Sequence, residues 1–260
     1  MHVVGFIAAR MASTRYPGKP LAPIRGVPMI GHVFHRARLA RTLDDVVVAT
    51  CDDAILEYCD GIGAMGIRTR DTHERATDRI AEALPYYEEA TGHRVDVAVL
   101  VQGDEPMLVP EMLDELVAPM RADALPIGNL ISPIGSAEEF EDPNTVKAVR
   151  DRDDFALYFS REAIPSRAKY SRAVPMWKQL GLIAFRRDAL LDYTQLAPTP
   201  LEEIESVDMN RVLEHGRRIK LVETRHRTTA VDTPGDLARV DALMANDPLM
   251  ATYAARSAAR

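Results

Sequence analysis

Seven consecutive residues, Val95-Asp96-Val97-Ala98-Val99-Leu100-Val101, constrain the fold of this chain more than any other stretch. A short apolar run rich in β-branched residues reads as a strand covered on both faces, as in a parallel sheet. Residues 3–9 and 46–50 repeat the pattern, and 66–69 suggests a shorter strand. Helical patterns fall between these runs. Residues 29–40 place Ile30, Val33, Phe34 and Ala37 on one face, and 53–60 reads as a short helix closed by Gly61. Residues 76–89 read as a helix that Pro85 breaks or kinks, and 110–121 as a helix with proline at its start. This alternation predicts an α/β fold, a mostly parallel sheet with helices on both faces.

The second half is less regular. Residues 127–134, 146–149, 155–159 and 180–185 read as strands without long helices between them, a smaller antiparallel β extension. Helical patterns return at 204–214 and 234–245, around a strand at 219–222. The small, basic stretch 251–260 is expected to be disordered. No linker or repeat interrupts the 260 residues. One domain over 1–260 is therefore expected, with about 127–186 as its smaller β-rich portion.

The loop after the first strand, AARMASTRYPGKPL, delivers Arg10, Ser13, Thr14, Arg15, Gly18 and Lys19 within ten positions. Open α/β sheets place ligands outside the carboxyl ends of their strands. Three cations, two hydroxyls and a glycine there suit a polyphosphate, although a solvated basic loop has the same composition. The loop fits neither GxxxxGK[ST] nor GxGxxG.

Four more clusters carry polar chemistry. Gln102-Gly103-Asp104-Glu105-Pro106 ends the strongest strand, and Asp104 there can bind a divalent ion or cap the next turn. Val231-Asp232-Thr233-Pro234 offers a second carboxylate, or a helix cap with proline at N1. Arg70 to Arg79 straddles a strand end and a helix start, where free N–H groups attract anions. Ser160 and Arg161 leave an aromatic strand, after Asn144 and Lys147.

The net charge of −7 and the lack of a basic stripe argue against nucleic acid as a partner. No apolar run reaches the roughly 18 residues of a membrane span, and a signal peptide is not expected. Cys51 and Cys59 form neither CxxC nor a ligand spacing with His, so a reduced, cytoplasmic protein is expected.

In this order, AARMASTRYPGKPL, VQGDEP, DPNTVKAV, ALYFSREAIP, PLEEIESVDMNRVLE and AVDTPGDL resemble the 3-deoxy-manno-octulosonate (Kdo) cytidylyltransferases over nearly the whole chain. The resemblance implies a Rossmann-like fold, CTP as substrate, Mg²⁺ as cofactor and a homodimer. It implies attack by an acceptor oxygen on the α-phosphorus of CTP, with loss of pyrophosphate. By this likeness Arg10, Ser13, Thr14, Arg15 and Lys19 hold the triphosphate. Ala8, Arg70 and His73 lie by the cytosine and ribose, and Asp104 and Asp232 bind the metal. Gln102 faces the acceptor. Arg15, Lys19, Asp104 and Asp232 are thereby the expected catalytic residues.

The departures cluster on the acceptor side. The family's HxSGT[DE]R becomes His73-Glu74-Arg75-Ala76-Thr77-Asp78-Arg79, and its RHLGIYGYR has Gln179 and Ile183 at a His and a Tyr. Its LEQLR has Met209 at the Gln. With Ser160 and Arg161, the residues Arg75, Gln102, Gln179 and Met209 are the expected acceptor contacts. Lost polyol partners and an added cation lean toward a small anionic acceptor such as a phosphonate. Kdo or a related sugar acid is the alternative, and a catalytically idle nucleotide-binding module a remote one.

Overall fold

Val3 to Ala8 are extended and buried up to the last residue, so both edges of this strand must find backbone partners. The computed structural model, which describes residues 1–12, 15–123, 125–169, 172 and 174–257, supplies both. Two compact units make up the chain, Met1–Asp114 with Thr228–Arg260, and Glu115–Arg227.

The first unit runs β1 (Val3–Ala8), β2 (Pro23–Ile24), β3 (Val27–Pro28), α1 (Met29–Ala37), β4 (Asp45–Thr50), α2 (Asp53–Ile62), β5 (Met65–Arg68), α3 (Ala76–Thr91) and β6 (Val97–Gln102). Strand β1 lies between β6 and β4, and β5 follows β4, every pair parallel. The register places Ala8 opposite Gln102. Two chain segments thus turn away from the sheet at the same height, both at carboxyl ends. The expected parallel α/β sheet is present.

Two helices differ from their sequence patterns. Helix α2 runs through Gly61 and stops at Gly63, whose φ of 71° is the left-handed conformation in which glycine ends helices. Helix α3 continues through Pro85 for 16 residues. Proline removes one backbone bond, but Ile80, Ala81, Ala83, Leu84 and Tyr87 are buried on both sides of it and hold the helix together.

Helix α4 (Pro110–Ala122) leads into the second unit. This unit holds β7 (Ile127–Pro133), α5 (Ala137–Glu141), β8 (Lys147–Arg150), β9 (Ala156–Ser160), β10 (Trp177–Arg186), α6 (Arg187–Tyr193), α7 (Pro200–Glu205), α8 (Met209–Glu214) and β11 (Lys220–Glu223). Its pairings are antiparallel for β7–β10, β10–β8 and β8–β9, and parallel for β11–β7. The helix expected over 204–214 is two helices, broken where Ser206 adopts φ 51°. The break turns Glu205 inward, where its carboxylate accepts from Tyr158 Oη, Ser160 Oγ and the Arg161 amide, each at 2.7 Å. A bidentate Arg211–Glu202 pair at 2.6 Å ties the two pieces together.

The chain then rejoins the first unit through α9 (Pro234–Met244) and α10 (Pro248–Ser257). Helix α10 corrects the disorder expected over residues 251–257, and residues 258–260 lie outside the described residues. Composition missed that Tyr253 is 4% exposed and that its hydroxyl bonds to His32 Nδ1 at 2.8 Å and to Arg36 Nε at 3.0 Å. No described helix is long and apolar enough to cross a membrane.

Candidate active site

The loop after β1 is closed on itself before it contributes any charge. Gly18 N–H donates to the Met11 carbonyl at 3.0 Å, and Met11 N–H donates to Asp52 Oδ2 at 2.8 Å. Gly18 has φ 76°, which turns the chain into a single 3-10 turn, Lys19–Leu21. Lys19 therefore starts a fixed element. Its side chain is only 12% exposed.

Its ammonium is the hub of the site. Lys19 Nζ donates to Asp104 Oδ2 at 2.9 Å, to the Val231 carbonyl at 2.8 Å and to Asp232 Oδ1 at 3.4 Å. Arg15 Nη2 reaches the same Asp232 oxygen at 2.9 Å. Asp104 comes from the turn after β6, and the Val231 amide ties that turn down by donating to the Asp104 carbonyl at 2.9 Å. The two carboxylates, 128 positions apart in sequence, thus converge on one cation.

Asp232 is aimed by a helix cap that does not consume it. Thr233 Oγ1 accepts from the Asp236 amide, and the Asp236 carboxylate accepts from the Thr233 amide, a capping box on α9. The same carboxylate takes the Asp232 amide at 3.2 Å. Burial pushes the Asp236 carboxyl up, but the Thr233 hydroxyl and the two amides outweigh it and hold it below its ordinary range. Thr233 is the cap, which leaves the Asp232 side chain for the site.

A cleft of about 340 Å³ opens over this cluster. Ala8, Arg10, Arg15, Lys19, His73, Arg75, Gln102, Asp104 and Asp232 all line it, and so do Arg79 and Gly103. Five cations, Arg10, Arg15, Lys19, Arg75 and Arg79, share the lining with the carboxylates of Glu74, Asp104 and Asp232, a positive excess that suits a polyphosphate. Arg70 is not in the lining. Its guanidinium is largely exposed, 3.4 Å from Glu82. Ser13 and Thr14 lie outside the described residues.

The remaining acceptor candidates belong to the second unit and have local partners there. Ser160 donates to Glu205, and Arg161 donates to the Glu205 and Pro143 carbonyls at 2.6 and 2.9 Å. Gln179 Nε2 donates to Asn129 Oδ1 at 2.6 Å, and Met209 is fully buried. Lys147, noted in sequence beside them, is buried with its ammonium on the Asp142, Thr145 and Arg161 carbonyls.

Two contributors escaped the sequence reading. Thr233-x-x-Asp236 carried a legible capping signal. Glu82 did not stand out, because charged residues on a helix ordinarily face water.

The donor set suits a hard divalent cation. Asp104 and Asp232 provide two carboxylates within reach of one point, and no group of three or more His, Cys, Asp or Glu side chains gathers among the described residues. Such a cation keeps waters and takes its other oxygens from substrate phosphates.

Gly103 is where the β6 turn passes β1. A Cβ there would lie 2.9 Å from the Ala8 carbonyl oxygen and 3.1 Å from Ile30 Cδ1. Gly103→Ala is expected to push Asp104 off Lys19, at a cost of about 1–3 kcal/mol in stability, and to raise the KM for CTP. Unfolding temperature and steady-state kinetics check both effects.

The model of the family described as Cytidylyltransferase matches residues 4–219. The chain belongs to the cytidylyltransferase family. This cytidylyltransferase is 43% identical to the 3-deoxy-manno-octulosonate cytidylyltransferase of Geobacter metallireducens over 92% of its own length and 96% of the relative's. It is 42% identical to that of Myxococcus xanthus, covering 93% and 96%. A solved CMP:2-keto-3-deoxy-manno-octonic acid synthetase complexed with CTP superposes with a TM-score of 0.87 at 39% identity, covering 95% of this chain and all of that one. The chain is a CTP-dependent nucleotidyltransferase.

Proposed function

We propose that this enzyme transfers CMP from CTP to 3-deoxy-manno-octulosonate, or a sugar acid of that kind, with release of pyrophosphate. One observation carries the acceptor: eight curated relatives, 40–43% identical over 92–93% of the chain, are named for that sugar acid. They favour it over the phosphonate suggested by Arg75, Gln179, Ile183 and Met209. Those four substitutions then read as divergence within one activity.

In the proposed reaction an acceptor oxygen bonds to the α-phosphorus of CTP, and the bond to the bridging oxygen of the pyrophosphate breaks. The protein has little covalent work in such a transfer, so positioning and charge neutralisation dominate. Arg10, Arg15 and Lys19, with Ser13 and Thr14, hold the triphosphate. Arg15 and Lys19 stabilise the charge that grows on the departing pyrophosphate. Ala8 and His73 flank the base and ribose, while Gln102 and Arg75 face the acceptor. Asp104 and Asp232 hold Mg²⁺, which when bound neutralises phosphate charge. Assembly as a homodimer belongs to the same reading and rests on family likeness.

Pyrophosphate release from CTP, measured with Kdo and with simple phosphonates in parallel, tests the assignment. Turnover is expected with Kdo alone. Turnover with a phosphonate and none with Kdo would reverse it.

A further inference from the structure

We propose that Glu82, a residue of α3 that does not line the cleft, positions the 69–75 segment and so sets affinity and selectivity for the nucleotide base. The inference rests on the proposed function, which puts base and ribose against His73.

The 69–75 segment has no regular secondary structure of its own, and α3 side chains hold its shape. Glu82 Oε2 accepts from the Arg70 amide at 2.9 Å and from His73 Nε2 at 2.5 Å. Glu82 Oε1 lies 3.4 Å from Arg70 Nε. One turn earlier on the same helix face, Arg79 donates to Thr69 Oγ1 at 2.6 Å, to the Arg70 carbonyl at 3.1 Å and to the His73 carbonyl at 3.4 Å. Arg10, from the loop after β1, reaches that carbonyl from another direction at 3.4 Å.

The segment is thus clamped by an acceptor and a donor spaced i,i+3, neighbours on the helix surface. The Glu82 side chain is 14% exposed. Burial pushes its carboxyl up, yet the Arg70 amide and His73 hold it below the ordinary range, so it stays an anion. The cleft receives His73, Glu74, Arg75 and Ala76 from this stretch, and the placement of their backbone depends on the clamp. Without Glu82 the Arg70 amide and the His73 ring lose their shared acceptor, and the segment samples other conformations. A pocket competent only part of the time binds more weakly in proportion to that fraction.

The readout is CTP and UTP binding by calorimetry without acceptor, followed by kinetics. Glu82→Ala is expected to raise the dissociation constant for CTP about tenfold, as for a segment competent a tenth of the time. It should narrow the preference for CTP over UTP and leave kcat at saturating CTP within about threefold. Glu82→Gln keeps one acceptor oxygen and should lose about threefold in affinity. His73→Ala should weaken CTP as well, and the double variant should lose less than the sum, because both changes remove one bond.

Should Glu82→Ala fail to fold, Glu82→Gln and His73→Ala decide. Wild-type affinity and selectivity in both would overturn the proposal, as would an equal weakening of CTP and UTP or a loss confined to kcat. A wrong acceptor assignment leaves these binding measurements unchanged and appears only as absent turnover with Kdo. Equal wild-type affinities for CTP and UTP would refute base selection by this segment directly.

Discussion

Asp104→Asn and Asp232→Asn are each expected to lower kcat by about 10³-fold, several kcal/mol of lost charge stabilisation at the reacting phosphates. Each change converts an acceptor-only oxygen pair into a half-donor, which neither holds a divalent cation nor opposes Lys19. The fold should barely register it. Asp104 and Asp232 are 24% and 33% exposed, and pairs that water reaches contribute at most about 1 kcal/mol. Asp232→Asn also weakens the acceptor that Arg15 Nη2 meets at 2.9 Å, so the KM for CTP should move as well. Kinetics at several metal concentrations separate these effects. Near-wild-type kcat in either variant would overturn the assignment of the pair as metal ligands.

Arg36→Met is the second large effect, and it falls on stability. Arg36 is 1% exposed and donates to Asp247 Oδ2 at 2.5 Å, to Tyr253 Oη at 3.0 Å and to the Leu108 carbonyl at 3.1 Å. The variant leaves Asp247 sheltered without its cation, an expected loss of about 3–5 kcal/mol. For a protein of this size that lowers the unfolding temperature by about 10 °C or more.

The same anchor predicts acid sensitivity. His32 is fully buried, and burial pushes its pKa below 6.5. Its Nε2 faces the Ile24 carbonyl at 2.8 Å and must carry the proton, so Nδ1 accepts the Tyr253 hydroxyl. The unfolded chain takes up this proton more readily than the folded one, so stability is full above 6.5 and falls as pH drops below it. Asp247 acts in the same direction at lower pH, because Arg36 outweighs burial and holds its carboxyl below 3.8. Thermal unfolding against pH should show the loss. His32→Gln should flatten the upper part of that curve.

The parallel sheet was legible because its strands are apolar on both faces and the spacing between them admits only crossover helices. The cradle was legible because Arg15, Lys19, Asp104 and Asp232 are residue types that a core does not keep unpaired. Their convergence was not. Lys19 gathers Asp104 and Asp232 through the closure of residues 11–18 and the cap on α9, and both are contacts between residues distant in sequence. The break at Ser206 was hidden because Glu203, Glu205 and Ser206 fit a helix surface. Only the demand of Tyr158, Ser160 and Arg161 for the Glu205 carboxylate interrupts it. Helix α10 was hidden for a similar reason: its small residues say little, and one tyrosine holds it in place.

The first unit is assembled from two stretches separated by residues 115–227, and its cleft takes Lys19 from the earlier and Asp232 from the later. During synthesis the first 114 residues leave the ribosome long before their partner does. The early strands and helices can form, but the two-carboxylate cluster exists only after Val231 and Asp232 have emerged. Chains ending before that point are expected to be inert toward CTP, so a stalled or clipped product cannot waste the nucleotide.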